Sequence, residues 1–218
     1  MPILYRTLSS GRLQCRGTLV WNTATRNAVL IDPTDDATPF LELIRAEELT
    51  VKYLLLTHGH VDHAASVGST AKVLGINPHM HPADAPILAS IPKHGQLYGI
   101  FAEAYAGTVE PLSHLQEIEI EPLYRFQVLH TPGHTPGSVG FYFKTLGILV
   151  SGDTLFQESV GRTDFPGGSF EALKKSIQTV LYTLPQETIV IPGHGPDTQI
   201  GHEMRYNPYV RAPMEHTF

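Results

Sequence analysis

Short apolar runs separated by polar turns set the rhythm of this chain. Ile3 to Leu8, Gly17 to Asn22 and Ala28 to Ile31 read as strands. Thr38 to Glu47 then reads as a helix, with Thr38 at its N-cap, Pro39 in the first helical position and Phe40, Leu41, Leu43 and Ile44 as its apolar stripe. Val51 to Leu56 follows as a buried strand, and Ala64 to Leu74 as a second helix stopped by Gly75. The stretch 78–112 is rich in Pro, Gly and Ala and only weakly periodic, which predicts a short strand, a short helix and a long loop over one face. On the same period, Tyr98, Phe101 and Tyr105 read as a packed helix face. Strands return at Ile118 to Pro122, Tyr124 to Leu129, Ser138 to Phe143 and Gly147 to Val150, Phe170, Leu173, Ile177 and Leu181 mark one face of a helix, and Thr188 to Ile191 is the last strand. Two strand-rich halves, each with helices, predict an α/β (α+β) fold: two mixed β-sheets face to face with helices on the outside.

Four of these strands stop at a turn carrying His or Asp. The first stop, Thr57-His58-Gly59-His60-Val61-Asp62-His63, packs four potential metal ligands into six residues, and the later ones end in His130-Thr131-Pro132-Gly133-His134, Ser151-Gly152-Asp153 and Pro192-Gly193-His194. Ligands collect outside the carboxyl ends of parallel strands, so stops far apart in sequence can share one site. His58 and His60 are two apart, and on an extended chain they face the same way and can share an ion. Asp62 and His63 fall where the chain turns into a helix and suit a second ion. A catalytic zinc takes about three protein ligands plus water, so neither set is complete. His134 would join His58 and His60, His194 would join Asp62 and His63, and Asp153 could bridge. Five imidazoles and two carboxylates leave two divalent ions with excess positive charge, under which a trapped water would ionise near neutral pH and act as nucleophile.

Composition narrows the class. Hydrophobic residues are 42% and charged ones 17% of 218 residues, enough for a full core without disulfides, and Cys15 is the only cysteine. With no base near it in sequence, Cys15 reads as a small buried apolar residue. The net charge of −6 without a basic cluster argues against a nucleic-acid partner. No apolar run approaches the ~20 residues of a membrane span and the N-terminus lacks a signal-peptide pattern, so a cytoplasmic protein without a membrane partner is expected. The twelve histidines are the outlier.

The chain resembles the metallo-β-lactamase superfamily over nearly its whole length. Within it, the chain is similar to small relatives of glyoxalase II, the hydroxyacylglutathione hydrolases, through Thr57 to His63, His130-Thr-Pro-Gly-His-Thr-Pro-Gly137, Ser151-Gly-Asp-Thr-Leu-Phe156, Gly161-Arg-Thr-Asp-Phe-Pro-Gly-Gly168 and Pro192-Gly-His-Gly195. The resemblance implies one domain over 1–218 with the four-layer αββα sandwich. It implies His58, His60 and His134 on one ion, Asp62, His63 and His194 on the other, and Asp153 between them. A hydroxide positioned by Asp62 and Asp153 would attack the thioester carbonyl of S-D-lactoylglutathione or a related anionic thioester. Only the resemblance favours His134 over His130, because the matching ligand follows Pro-Gly. Zinc is the expected ion, with iron or manganese also compatible with mixed His/Asp ligands.

Arg162 matches a basic position that contacts glutathione in glyoxalase II and suits a substrate carboxylate, although a salt bridge with Asp164 is an equal reading. Two features depart from full-length glyoxalase II: the chain ends at Phe218, 24 residues after His194, short of a helical C-terminal domain, and Gly195-Pro196 replaces a substrate-binding tyrosine. Asp153 stands where true β-lactamases usually lack a carboxylate, which argues against antibiotic hydrolysis. The rival is an iron-dependent persulfide dioxygenase, with His58, His134 and Asp153 around a single ion; it leaves Asp62 and His194 without a metal role. Asp32, at the end of another strand, reads equally as a partner that orients a ligand His and as a purely structural residue. His79, His81, His94, His114, His202 and His216 read as surface or structural groups.

Overall fold

The computed structural model describes residues 3–212; His216 lies outside them. The first of two six-stranded sheets takes β1 (Ile3–Ser10), β2 (Cys15–Asn22), β3 (Asn27–Ile31), β4 (Thr50–Leu55), β5 (Pro78–Met80) and β6 (Glu110–Pro111) in that spatial order. β1 to β3 pair antiparallel, and from β3 onward the neighbours are parallel. The second half brings β7 (Glu117–Glu121), β8 (Tyr124–His130), β9 (Val139–Phe143) and β10 (Ile148–Gly152), a ribbon of β11 (Leu155–Phe156) and β12 (Ser159–Val160), then β13 (Ile189–Pro192) and β14 (Thr198–Gln199). Its sheet order is β14-β13-β10-β9-β8-β7. β10 and β13 are parallel, and β9 is antiparallel to both β8 and β10, so β8, β10 and β13 all run the same way.

Side-chain alternation along the buried strands assigns each residue to a layer. Val20, Val29, Ile31 and Leu55 face inward and meet Phe126, Val128, Phe141, Phe143, Val150 and Ile191 of the other sheet. Their neighbours Leu19, Trp21, Ala28, Leu30 and Leu54 face outward, under α1 (Thr38–Ala46), α2 (Val61–Ala64), α3 (Val67–Leu74), α4 (Ala85–Ala89) and α5 (Ile91–Tyr98). On the opposite side Leu129, Leu149 and Val190 pack against Leu173 and Ile177 of α6 (Phe170–Thr179) and Ile200 of α7 (Ile200–Tyr206). The result is the expected four-layer αββα sandwich.

Local details differ from expectation. Thr38 is the first helical residue rather than the cap; Ala37 precedes it without a side-chain cap, and Asp36 Oδ1 accepts from the Thr38 amide at 3.0 Å. The helix expected over Ala64 to Leu74 is divided into α2 and α3, and between them Ser66 Oγ donates to the Thr34 carbonyl at 2.8 Å. The stretch 78–112 holds a 3₁₀ turn, Pro82–Asp84, and two helices instead of one. α5 stops at Tyr98 because Gly99 takes a left-handed φ of +67°, so Phe101 and Tyr105 lie on the loop beyond it and form no helix face; Phe101 is 87% exposed. Among the described residues no helix is long and apolar enough to cross a membrane.

Candidate metal centre

The four strand ends converge. β4 delivers His58 and His60, α2 begins at Val61 and carries Asp62 and His63, and the turns after β8, β10 and β13 bring His134, Asp153 and His194. The two sheets are joined at this edge by the Val139 amide donating to the Thr57 carbonyl and the Arg16 amide to the Gly193 carbonyl, both at 2.8 Å. Ligand atoms of His58, His60 and His134 lie within 4.8 Å of one another, as do those of Asp62, His63 and His194 together with the Cys15 sulfur. Asp153 stands between the groups: its Oδ1 is 3.3 Å from His63 Nε2, and its Oδ2 is 3.7 Å from His134 Nε2 and 3.8 Å from His194 Nε2. Gly193 makes this approach possible, since a Cβ there would collide with Asp153 Oδ1 and the His63 ring.

Hydrogen bonds behind the cluster set which nitrogen faces it. His63 Nδ1 lies 2.9 Å from Asp32 Oδ2, so Nδ1 carries a proton there and Nε2 is the atom turned to the cluster. Thr57 Oγ1 donates its one proton to the same Asp32 oxygen at 2.7 Å and therefore accepts from His58 Nδ1 at 3.1 Å, which bares His58 Nε2. His134 Nδ1 donates to the Arg162 carbonyl at 2.7 Å, baring its Nε2. Of the two readings of Asp32, the hydrogen bonds favour the one in which it orients His63. Asp32 sits at φ +52°, a left-handed conformation that a short acidic side chain tolerates.

The bare atoms fit divalent ions. The buried nitrogens His58 Nε2 and His63 Nε2, and Asp153 Oδ1, have no hydrogen-bond partner, a costly condition unless something positive lies between them. Two ligands each ~2.1 Å from one zinc are about 3.0–3.4 Å apart for angles between right and tetrahedral. His60 Nδ1 and His134 Nε2 are 2.9 Å apart, Asp62 Oδ2 and His194 Nε2 3.0 Å. Burial, then the charge of neighbouring histidines, holds His60 down at about 3 and His58 well below the usual imidazole range, so both are neutral. Burial pushes the carboxyls of Asp62 and Asp153 upward, but the surrounding imidazoles outweigh it and keep both ionised. For His63 burial opposes a proton, yet Cys15 and the carboxylates of Asp153, Asp62 and Asp32 outweigh it and draw one in. A cation would satisfy the same field.

Two residues escape sequence reading. Asp84, fully buried, accepts from the Gly59 amide (2.9 Å), Thr135 Oγ1 (2.7 Å) and the Gly137 amide (2.6 Å), so one carboxylate clamps the turn of His58 and His60 to that of His134. Cys15 is buried as expected, but its sulfur lies beside the candidate ligand atoms of Asp62, His63 and His194, and burial pushes its thiol up to about 12. His130 points away from the cluster: its Nε2 meets the Pro136 carbonyl at 2.9 Å and its ring stacks on His81 at 4.0 Å. Arg162 is bound to Asp164 through Nε (2.8 Å) and Nη2 (2.7 Å), is exposed, and lies 4.2 Å over the Phe165 ring, whose other ring neighbours are His60 at 5.2 Å and His134 at 6.4 Å.

Comparison with known proteins supports the fold. The family model described as "Metallo-beta-lactamase superfamily" matches residues 10–194. Hydroxyacylglutathione hydrolase GloC of Haemophilus influenzae is 37% identical over 198 residues, covering 89% of this chain and 92% of that protein. Among solved structures, TTHA1623 in a di-iron-bound form superposes with a TM-score of 0.85 at 37% identity, covering 94% of this chain and 99% of the other. BLEG-1 B3 metallo-beta-lactamase also gives 0.85, at 34% identity and coverages of 95% and 99%. ETHE1 from Myxococcus xanthus gives 0.78 at 30% identity, covering 95% of this chain and 84% of the other.

Proposed function

Because the chain belongs to the metallo-β-lactamase superfamily, we propose that it is a two-ion thioesterase of the glyoxalase II type, acting on S-D-lactoylglutathione or a related anionic thioester. One observation carries the reading: Asp153 presents an oxygen to His63 on one side and to His134 on the other, the placement a ligand shared by two ions requires. His58, His60 and His134 would hold one ion, Asp62, His63 and His194 the second, and Asp153 both. The ions, zinc, iron or manganese, supply charge that polarises a carbonyl and makes a water acidic enough to ionise near neutral pH.

The chain's own groups do the rest. Asp32, Thr57 and the Arg162 carbonyl keep the protons of His63, His58 and His134 on the nitrogens facing away from the centre, so three lone pairs stay aimed inward. Asp62 and Asp153 remain ionised and accept hydrogen bonds from the attacking water, which orients it. Phe165 walls the side of His60, and Arg162 beyond it would receive the substrate carboxylate through the fork that now holds Asp164. Both members of that pair are exposed to water, where such pairs are weak, so the exchange is easy.

The test is steady-state hydrolysis of S-D-lactoylglutathione beside metal analysis of the same protein. Thioester turnover with two ions per chain is expected. A single iron per chain with oxygen uptake on glutathione persulfide would replace the proposal with a dioxygenase, and turnover of a β-lactam but not of thioesters would replace it with a lactamase.

A further inference from the structure

Cys15 is the one group in the centre that the two-ion reading leaves without a task. It opens β2, and its neighbour Arg16 ties it to the loop of His194 on both sides. The Arg16 amide donates to the Gly193 carbonyl (2.8 Å), Nη1 to the Gly195 carbonyl (2.8 Å) and Nη2 to Asp197 Oδ1 (2.6 Å). Cys15 is therefore held in register with His194 by three hydrogen bonds one residue away. Its sulfur lies with the ligand atoms of Asp62, His63 and His194 in a group no wider than 4.8 Å. Independently, His63, fully buried, aims into the same space an Nε2 that has no hydrogen-bond partner. A thiol kept only for packing would lie among apolar side chains; this one lies with two imidazole nitrogens and a carboxylate.

We propose that Cys15 is a further ligand of the second ion, making that half-site a mixed sulfur, nitrogen and oxygen site while the first remains all-histidine apart from the shared Asp153. The inference rests on the two-ion reading. On binding, the S–H proton leaves to solvent and the sulfur lone pair forms the bond to the ion, with no change of oxidation state; a coordinating thiol is deprotonated outright by the ion's own charge. Thiolate is a soft donor, so the second half-site should prefer zinc or iron over manganese or magnesium more strongly than the first.

The full-length protein loaded with two equivalents of Co(II) tests this directly. A thiolate-to-cobalt charge-transfer band in the near ultraviolet is expected, and it should vanish in Cys15→Ser carrying the same two ions. Identical spectra for the two fully loaded proteins would overturn the inference. X-ray absorption at the zinc edge on the unsubstituted protein stands whether or not Cys15→Ser folds. It should require a sulfur neighbour at ~2.3 Å, and a fit by nitrogen and oxygen alone would sink the idea. The metal count on the same samples decides the two-ion reading and thioester turnover decides the substrate, so each can fail separately from the sulfur signal.

Discussion

Two histidines four residues apart, His130 and His134, separate a ligand from a look-alike. In the proposed arrangement His134 Nε2 is 2.9 Å from His60 Nδ1, while His130 spends its Nε2 on the Pro136 carbonyl and its ring on His81. His134→Ala should therefore lose the ion of the first half-site and metal-dependent turnover, whereas His130→Ala should keep two ions per chain; atomic emission on the purified variants reads both. Asp32→Asn is subtler, because Asp32 contacts no ion yet holds the proton of His63. Loss of such an orienting partner typically weakens metal affinity by about 10–100-fold, and a competitive chelator titration should show that drop with the circular dichroism unchanged. Arg162 divides between backbone and side chain: its carbonyl holds His134, its guanidinium faces outward. Arg162→Ala should raise KM for anionic thioesters at constant metal content, and a lost ion would mean that the side chain is structural.

Between elements, the decisive contact is one that no periodicity announces. Asp84 sits in the 3₁₀ turn before α4 and joins the turns after β4 and β8. Asp84→Ala would strand the Gly59 and Gly137 amides, each buried orphan costing about 1–3 kcal/mol, and leave the Thr135 hydroxyl only Ser138 Oγ, so a loss of several kcal/mol on thermal melting is expected. The ion held by His58, His60 and His134 should leave before the one held by His194. The strands that carry the proposed ligands are legible in the sequence because β4, β8, β10 and β13 each place buried apolar residues ahead of a Gly- or Pro-bearing turn. The two-residue strands β11, β12 and β14 are too short to leave a period, and the break between α2 and α3 depends on a hydroxyl reaching a carbonyl 32 residues back. Asp84 and Cys15 were illegible for one reason: an isolated Asp or Cys acquires its partners only when strands distant in sequence meet. The spacing of Tyr98, Phe101 and Tyr105 mimicked a helix that Gly99 ends.

At the scale of the molecule, the ions would act as a clasp between the sheets. The turn after β4 belongs to the first sheet and those after β8, β10 and β13 to the second, so each proposed ion takes ligands from both. The sheets do not depend on the clasp to associate. Phe126, Phe141, Phe143, Val128, Ile31 and Leu55 are fully buried between them, and each such side chain is worth about 1.5–3 kcal/mol. Removing the metal should leave the sandwich folded but less stable. An ion that binds only the folded chain stabilises it by RT ln(1 + [M]/Kd), about 4 kcal/mol at a thousandfold excess over Kd. In a domain of this size 1 kcal/mol moves Tm by about 2–4 °C, so chelating one such ion should lower Tm by about 8–16 °C. Because the term is logarithmic in free metal, Tm of the refilled protein should climb steadily with added ion rather than jump once. Calorimetry across a metal titration reads that slope, and a Tm indifferent to chelator would mean that no ion bridges the two sheets.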